Sequence, residues 1–198
     1  MRIISGKKRG MKLLSPGTHE TRPITDRAKE ALFSVLYKYD VIEDGCVADL
    51  FSGTGSMGLE SLSRGAKFTT FIEQSPKVVA ILKRNIEKAA FVEESTVIKG
   101  NVFKIGAPVT VDIEKYNLVF VDPPYVMSTN SREGSQVAKL LMLLNEQVAD
   151  GGLAIVRTHK RSELDETYGS FKLIDQRMWG TMGVAIYQLQ IEGQTDDE

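Results

Sequence analysis

The sequence predicts an α/β domain built on a mostly parallel sheet, and three observations support this. From residue 46 onward, short apolar runs alternate with amphipathic helical patterns, as in strands joined by crossover helices. Residues 118–122 (LVFVD) are almost wholly apolar, which is typical of a central strand. The last two runs have no helix between them, so an antiparallel hairpin should close the sheet. We therefore expect seven strands, the terminal one antiparallel.

The individual elements follow from periodicity and from capping residues. Ser75 and Pro76 are a typical N-cap and first helical position. Gly151 and Gly152 are expected to stop the helix before them. The strands are expected at residues 46–51, 68–73, 95–99, 118–122, 153–158, 171–178 and 184–191. The helices are expected at residues 27–39, from the glycine stretch to residue 64, and at 76–90 and 136–148, with a polar loop at 126–135.

A small basic β-hairpin is expected before the sheet. Two apolar runs, residues 2–5 and 11–15, flank the turn sequence GKKRG. Asp26 is then expected to cap the first helix. We divide the chain accordingly into a hairpin extension (1–25), a main domain (26–191) and a disordered acidic tail (192–198).

Composition and charge narrow the possible partners. The chain has 198 residues, 42% of them hydrophobic, and no apolar run approaches the roughly 18 residues of a membrane span. Without a signal sequence, and with Cys46 as the single cysteine, we expect a cytoplasmic monomer that binds neither membrane nor metal. Residues 1–39 hold nine Lys or Arg against three acids, a charge of +6 in a chain of net charge −1. This imbalance favours a polyanionic partner, with a merely solvated hairpin as the alternative.

Residues 49–60 (DLFSGTGSMGLE) raise the question of a nucleotide cofactor. Gly53, Gly55 and Gly58 form the dinucleotide pattern G-x-G-x-x-G, and Glu73 follows where a ribose-binding acid is expected. Asp49, however, stands on the preceding strand. A carboxylate there would repel a pyrophosphate but attract an ammonium group. S-adenosylmethionine carries an ammonium and a sulfonium and no phosphate, so Asp49 favours that cofactor over NAD.

A second stretch, DPPY at residues 122–125, points to chemistry on an amine. Asp122, Pro123, Pro124 and Tyr125 follow the central strand. The amine of a nucleobase is a poor nucleophile because its lone pair is delocalised into the ring. The Asp122 carboxylate and the Pro123 carbonyl can accept its hydrogens, and Tyr125 can stack on a flipped-out base. A rigid turn is the structural alternative for the isolated tetrapeptide.

Taken in order, these motifs resemble one family over nearly the whole chain. DLFSGTG, FIEQ and VDPPY look like amino-group methyltransferases that use S-adenosylmethionine. RIISGKKRGMKLLSP and TRPITDRAKEALFSVL narrow the resemblance to the bacterial 16S ribosomal RNA guanine-N2 methyltransferase family, called RsmD. The resemblance implies a Rossmann-like class I methyltransferase fold. It also implies methylation of a guanine N2 amine in 16S rRNA, within the small ribosomal subunit or its assembly intermediate.

The resemblance also implies roles for particular residues. Asp49, Phe51, Gly53 and Gly55 would line the methionine end of the cofactor, and Glu73 would bind the ribose. Asn101, where the family often has Asp, would contact the adenine. The candidate cofactor site further includes Ser52, Thr54, Gly58, Gln74 and Val102. The candidate RNA contacts are Lys7, Lys8, Arg9, Lys12 and Arg22. Arg22, Pro23 and Thr25 match a family signature whose expected role is to close the cofactor pocket or orient RNA.

Three rival functions remain open at the level of the sequence. A DNA adenine-N6 or cytosine-N4 methyltransferase could use the same DPPY motif, although the chain has no room for a separate sequence-reading domain. An NAD-dependent oxidoreductase would use the glycines and leave DPPY without a purpose. A non-catalytic RNA-binding assembly factor could keep the fold without turning over a cofactor.

Overall fold

The computed structural model describes residues 1–16, 24–109, 113–128 and 131–191, without the side chains of residues 125 and 126. The strands are β1 Cys46–Leu50, β2 Phe68–Glu73, β3 Ser95–Lys99, β4 Tyr116–Val121, β5 Val148–His159, β6 Thr167–Tyr168, β7 Phe171–Trp179 and β8 Met182–Leu189. The α-helices are α1 Asp26–Leu36, α2 Ser56–Ser63, α3 Pro76–Ala89, α4 Val102–Ile105, α5 Tyr125–Ser128 and α6 Gln136–Leu144. Two 3-10 helices lie at Gly6–Lys8 and Tyr37–Tyr39.

One eight-stranded sheet, in the order β3-β2-β1-β4-β5-β8-β7-β6, organises these elements. The first five strands in this order pair in parallel, and the last three are joined by antiparallel pairs. Chain order reverses beside β1, which lies between β2 and β4. In such sheets the crevice for a ligand opens at this reversal, beyond the carboxyl ends of the strands. Asp49 lies there, opposite Phe71 of β2 and Phe120 of β4.

Two apolar cores cover the two faces of the sheet. One core joins the sheet to α1, α2, α3 and the N-terminal segment, and includes Phe33, Leu82 and Phe120. The other joins it to α6 and α4, through residues such as Leu141 and Val102. Within the described ranges, no helix is long and apolar enough to cross a membrane.

The fold confirms the α/β class and differs from the expectation at β6 and at the start of β5. The eighth strand, β6, has two residues and pairs with β7, too short to leave a pattern in sequence. Helix α6 ends at Leu144, before the glycines expected to stop it. Gly151 and Gly152 instead lie inside β5, where its register against β4 shifts.

The expected N-terminal hairpin is reduced to a single bridge. Arg2 and Lys12 form an isolated antiparallel bridge around the 3-10 helix, and no regular strands flank it. The first helix is capped by Thr25, not Asp26, because the Thr25 side chain accepts a hydrogen bond from the Ala28 N–H at 3.2 Å. The expected tail, residues 192–198, lies outside the described residues.

The N-terminal segment, residues 1–16, packs against and hydrogen-bonds to α1, α2 and α3. Ile3 is fully buried and Leu13 nearly so. The Ile4 and Ser5 N–H groups donate to the Glu60 carboxylate at 2.7 and 3.0 Å. A Cβ at Gly6 would lie 1.7 Å from the Ser63 carbonyl oxygen, so only glycine permits this approach. The segment therefore packs as part of the domain core.

Candidate functional site

Three carboxylates meet at the carboxyl edge of the sheet. Asp49 lies on β1, Glu73 ends β2 and Asp122 follows β4 directly. Burial raises the pKa of Asp49 to about 8, and the charges of Asp122 and Glu73 raise it further, while its bond to Gly58 and the nearby Arg157 oppose the shift. The three acid-bearing stretches therefore lie at one edge of the sheet, near enough for their charges to interact.

Asp49 is poised for a cationic ligand. Its side chain is 2% exposed, and its Oδ2 atom accepts a hydrogen bond from the Gly58 N–H at 2.8 Å. Among the described residues, its Oδ1 atom has no donor. A buried carboxylate with one donor is costly to ionise, and a positive charge beside it would remove that cost. The ammonium of S-adenosylmethionine fits this requirement, whereas a pyrophosphate does not.

Glu73 is held in place by the backbone of the glycine loop, residues 52–56. The Gly53 N–H donates to its Oε2 atom at 3.1 Å, and the Ser75 N–H donates to Oε1 at 2.8 Å. Each carboxylate oxygen keeps a lone pair for a further donor. A ribose, with two adjacent hydroxyls, matches this fixed pair of acceptors.

A side chain is disfavoured at Gly53, Gly55 and Gly58 for a different structural reason at each position. A Cβ at Gly58 would lie 2.3 Å from the Phe71 ring, so this glycine lets α2 pack against β2. Gly53 has φ +54°, and a Cβ there would meet nothing closer than 3.9 Å. Space at Gly53 is therefore open on the side where a ligand would lie. Gly55 combines φ +84° with close contact to Leu82.

The expected adenine side of the site is built around Phe103. Its N–H donates to the Asn101 side chain, which caps α4, at 3.0 Å. Its ring contacts the Phe51 ring edge-to-face, with centroids 5.2 Å apart. Phe51 has φ +58°, a conformation that costs energy in a bulky residue and often accompanies function. Val102 is buried directly beside Asn101.

Asp122 is paired with Arg157, a residue that the sequence did not single out. The Arg157 Nε donates to the Asp122 Oδ1 atom at 2.5 Å, across 35 residues of chain. Burial raises the pKa of Asp122, and Arg157 opposes that rise. The Asp122 Oδ2 atom has no donor among the described residues. Arg157 therefore fixes one oxygen of the carboxylate and leaves the other for a substrate.

The remaining predicted residues of the cofactor site and of the DPPY motif have different environments. The Ser52 hydroxyl donates to the Ile72 carbonyl, and the Thr54 hydroxyl faces the sulfur of Met1. Gln74 is exposed, next to Glu73. Pro123 is buried, while Pro124 is exposed and its carbonyl accepts from the Met127 N–H at 2.8 Å. The side chain of Tyr125 lies outside the described part of the chain.

The candidate RNA contacts of the hairpin lie at the opposite edge of the sheet. The Lys8 N–H donates to the hydroxyl of Ser63, the last residue of α2, at 2.9 Å. Helix α2 starts at the glycine loop and is eight residues, or about 12 Å, long. Lys7, Lys8 and Arg9 are therefore separated from the cleft by the length of α2. Arg22 and Pro23 lie outside the described residues.

Two buried polar residues connect the N-terminal segment to the glycine loop. Lys29, 1% exposed, donates to the Arg2 carbonyl at 2.7 Å and to the Ser56 hydroxyl at 3.2 Å, and lies 3.2 Å from Glu60. Burial lowers the pKa of Lys29, and Glu60 opposes the shift. Sequence reasoning missed this cluster, and a lysine on the apolar side of a helix was the available signal.

Asn85 of α3 performs the same connection on the other side of the loop. Its Nδ2 atom donates to the Thr54 carbonyl at 3.0 Å and to the Leu14 carbonyl at 3.1 Å. Its Oδ1 atom accepts from the Leu14 N–H at 2.7 Å. Within the described ranges, no group of three or more His, Cys, Asp or Glu could hold a metal ion.

The sheet is doubly wound, and its strand order reverses beside β1 as in the class I methyltransferase fold. Together with the relatives described below, this fold makes the protein an S-adenosylmethionine-dependent class I methyltransferase. The chain also belongs to the family described as "Conserved hypothetical protein 95", which it matches over residues 1–188. The RsmD-family resemblance of the motifs is thereby confirmed.

Comparisons with individual proteins agree with this assignment. The chain is 32% identical to ribosomal RNA small subunit methyltransferase D of Escherichia coli K12, over 99% of this chain and 93% of the relative. The solved structure of Escherichia coli YhhF is 31% identical, with a TM-score of 0.77 over 96% of this chain and 98% of that one. An RNA methyltransferase from Salinibacter ruber, in complex with S-adenosyl-L-homocysteine, shares the fold at 18% identity, with a TM-score of 0.62 over 89% and 99% of the two chains.

Proposed function

We propose that this protein methylates the exocyclic N2 amine of a specific guanine in 16S rRNA, within the small ribosomal subunit or its assembly intermediate. The observation that carries the proposal is the position of the Asp122 carboxylate. It follows β4, which pairs with the strand that carries Asp49, so the acids proposed to bind the amine and the cofactor lie at one edge of the sheet. The ribosomal substrate is supported by the E. coli relative, whose name assigns it to small-subunit rRNA.

The residues at the carboxyl edge suit S-adenosylmethionine. Asp49 would hold its ammonium group, Glu73 its ribose hydroxyls, and Asn101 with Val102 its adenine. When bound, the cofactor supplies a methyl group on a sulfonium, ready for transfer to a nucleophile. The glycine loop contributes backbone that approaches the ligand closely, because Gly53 leaves space where a side chain would stand.

The chain's own contribution to reactivity lies at Asp122 and Pro123. The Asp122 Oδ2 atom and the Pro123 carbonyl can each accept one hydrogen of the guanine amine. Holding both hydrogens turns the nitrogen lone pair out of the ring and toward the methyl donor. Arg157 holds one oxygen of Asp122 and opposes the rise in its pKa that burial causes, which favours the ionised form that accepts hydrogen bonds. Positioning and exclusion of water then account for most of the rate increase.

The test is methyl transfer from labelled S-adenosylmethionine to 30S particles and to naked 16S rRNA. Wild type is compared with Asp122→Ala and with the matched control Asp175→Ala, which removes a carboxylate paired with Arg177 on β7. We expect label in 2-methylguanosine, a loss of roughly 100-fold or more in kcat for Asp122→Ala, and near-normal activity for the control.

Three outcomes would contradict the proposal in distinguishable ways. Label on DNA adenine or cytosine, and none on rRNA, would support a DNA amine methyltransferase. RNA binding with no transfer, unchanged by Asp122→Ala, would support a non-catalytic assembly factor. If the protein bound NADH and not S-adenosylmethionine, the proposed role of Asp49 as the ammonium-binding group would be wrong. The better of the two RNA substrates shows when in assembly the enzyme acts.

A further inference from the structure

Helix α3 carries a stripe of exposed cations. Lys77, Arg84 and Lys88 are exposed and stand at positions i, i+7 and i+11. At about 100° per residue, these positions fall within about 40° of one another on the helix surface. The single acid of α3, Glu87, lies on the side of the stripe that faces away from Asn85.

The N-terminal segment lies directly against this helix and extends its charge. Asn85 binds Leu14 through the backbone N–H and carbonyl, and the Lys88 Nζ donates to the Lys12 carbonyl at 2.6 Å. The Lys8 Nζ lies 5.7 Å from the centroid of the Phe91 ring, just beyond the end of α3. These contacts place the cations of the segment and of α3 on one continuous surface.

Within the described ranges, the cations of this surface lack ion-pair partners. Among the described residues, none of Lys7, Lys8, Arg9, Lys12, Lys77, Arg84 and Lys88 forms an ion pair with a carboxylate. Elsewhere the chain does pair its arginines, as in Arg2 with Asp26 and Arg177 with Asp175. Neighbouring positive charges on this surface repel one another, and a ligand with repeated negative charges would relieve that repulsion.

We propose that Lys77, Arg84 and Lys88, together with the basic residues of the N-terminal segment, form a track that binds the phosphate backbone of the RNA substrate. The inference rests on the proposed function, since it takes RNA as the polyanion. From Lys77 to Lys88 the stripe spans about 16 Å, long enough for several successive phosphates.

The track connects the cleft with the opposite edge of the sheet. Lys77 follows Pro76, the first residue of α3, and Ser75 before it donates to the ribose-binding acid Glu73. Lys88 and Lys8 lie at the other end of the helix, near the amino edge. The basic turn at Lys7–Arg9 is thus the far end of a longer surface, and RNA held along it reaches the cofactor edge at Lys77. Such contacts position RNA and carry no sequence information.

The experiment compares two triple variants with equal change of charge. One is Lys77→Gln/Arg84→Gln/Lys88→Gln. The control is Lys115→Gln/Lys139→Gln/Lys172→Gln, three exposed lysines on other surfaces. Binding to naked 16S rRNA is measured by filter retention from about 0.05 to 0.3 M KCl. We expect the α3 variant to lose roughly 10- to 100-fold in affinity near 0.15 M and to show a salt slope shallower by about 2. The control should stay within about threefold of wild type.

Further measurements distinguish a loss of RNA contacts from a folding defect. They also distinguish failure of the track from failure of the proposed function. Melting temperature and S-adenosylmethionine affinity should be unchanged in both variants. Equal losses in the two triples, no loss in the α3 triple, or no binding of RNA by wild type would overturn the track. Methyl transfer by wild type is assayed in parallel. If RNA binding depends on α3 but no methyl group is transferred, the proposed function fails while the track stands.

Discussion

Asp49, the residue proposed to bind the cofactor's ammonium group, is costly to ionise in the folded protein. The carboxylate is buried on β1, and its pKa rises to about 8, mainly through burial. An unfolded chain ionises this group near pH 4, so between about pH 4 and 8 the folded state binds more protons. Stability contributed by this residue therefore falls as pH rises through that window. A cation beside Asp49 reverses the balance by favouring the ionised form.

Asp49→Asn should separate the stability of the ligand-free protein from cofactor affinity. The amide keeps the shape and can still accept from the Gly58 N–H, but it cannot ionise. We expect its stability relative to wild type to grow between pH 5 and 8, by up to about tenfold in the folding equilibrium per pH unit. Urea titrations at several pH values measure this. Affinity for S-adenosylmethionine should fall by roughly 10-fold or more.

Calorimetry in buffers of different ionisation enthalpy supplies the control for this interpretation. In wild type, cofactor binding at pH 7 should release most of a proton, because Asp49 goes from protonated to ionised. The Asn variant should lose that release. A wild-type binding enthalpy that is the same in every buffer would contradict the assignment of the ammonium site to Asp49.

At the scale of elements, helix α3 packs against the sheet and also holds two neighbouring segments by hydrogen bonds. Leu82 and Ile86 face the sheet, and Asn85 between them binds both the N-terminal segment and the glycine loop. The glycine loop, which we propose as part of the cofactor site, is thus held by a residue outside the proposed set of cofactor contacts. A buried amide that satisfies three backbone groups is costly to replace, because each group left unpaired costs about 1–3 kcal/mol.

Asn85→Ala should weaken both the fold and the cofactor site. We expect a loss of about 2–5 kcal/mol in the free energy of unfolding and a several-fold higher Kd for S-adenosylmethionine. The matched control is Asn145→Ala. Asn145 binds the Leu141 and Tyr168 carbonyls and the Ser170 N–H, far from the glycine loop. It should lose stability without a change in Kd. Equal effects of the two substitutions on Kd would show that Asn85 has no specific positioning role.

Much of this element-scale organisation was readable from periodicity, and its tertiary contacts were not. The strand at Ser95–Lys99 and the start of α3 at Pro76 lie where apolar pattern and capping residues predict them. The glycines of β5 were assigned to a helix end because a bulge inside a strand leaves the same local signal. Arg157 escaped notice because its partner is 35 residues away and is brought near by strand pairing alone.

For the candidate site, too, the sequence predicts what depends on strand order but not what depends on tertiary packing. Asp49, Glu73 and Asp122 could be placed together because the carboxyl ends of neighbouring parallel strands share one edge. The location of the basic turn could not be foreseen. It depends on how the N-terminal segment packs along α2, which is decided by the buried partners Glu60 and Ser63.

For the whole molecule, the N-terminal segment is part of the core and of the electrostatic surface at once. Its inward side supplies Ile3 and Leu13 to the core and two N–H donors to the buried Glu60. Its outward side exposes Lys7, Arg9 and Lys12, which have no ion-pair partner among the described residues. The expected division at residue 25 therefore describes sequence and charge, while the packing joins both parts into one unit.

Deletion of residues 1–14 should consequently prevent stable folding. It removes two buried apolar side chains, Ile3 and Leu13, each of which contributes roughly 1.5–3 kcal/mol. It also leaves Glu60 and Lys29 buried with fewer partners. The sum approaches the whole stability of an ordinary domain, about 5–15 kcal/mol. Lys7→Gln/Arg9→Gln changes only exposed side chains of the same segment, so it should keep the melting temperature while weakening binding to 16S rRNA. Circular dichroism and filter binding measure the two effects. A truncated chain that melts cooperatively near the wild-type temperature would show that the segment is an appendage after all, and that its buried contacts contribute little.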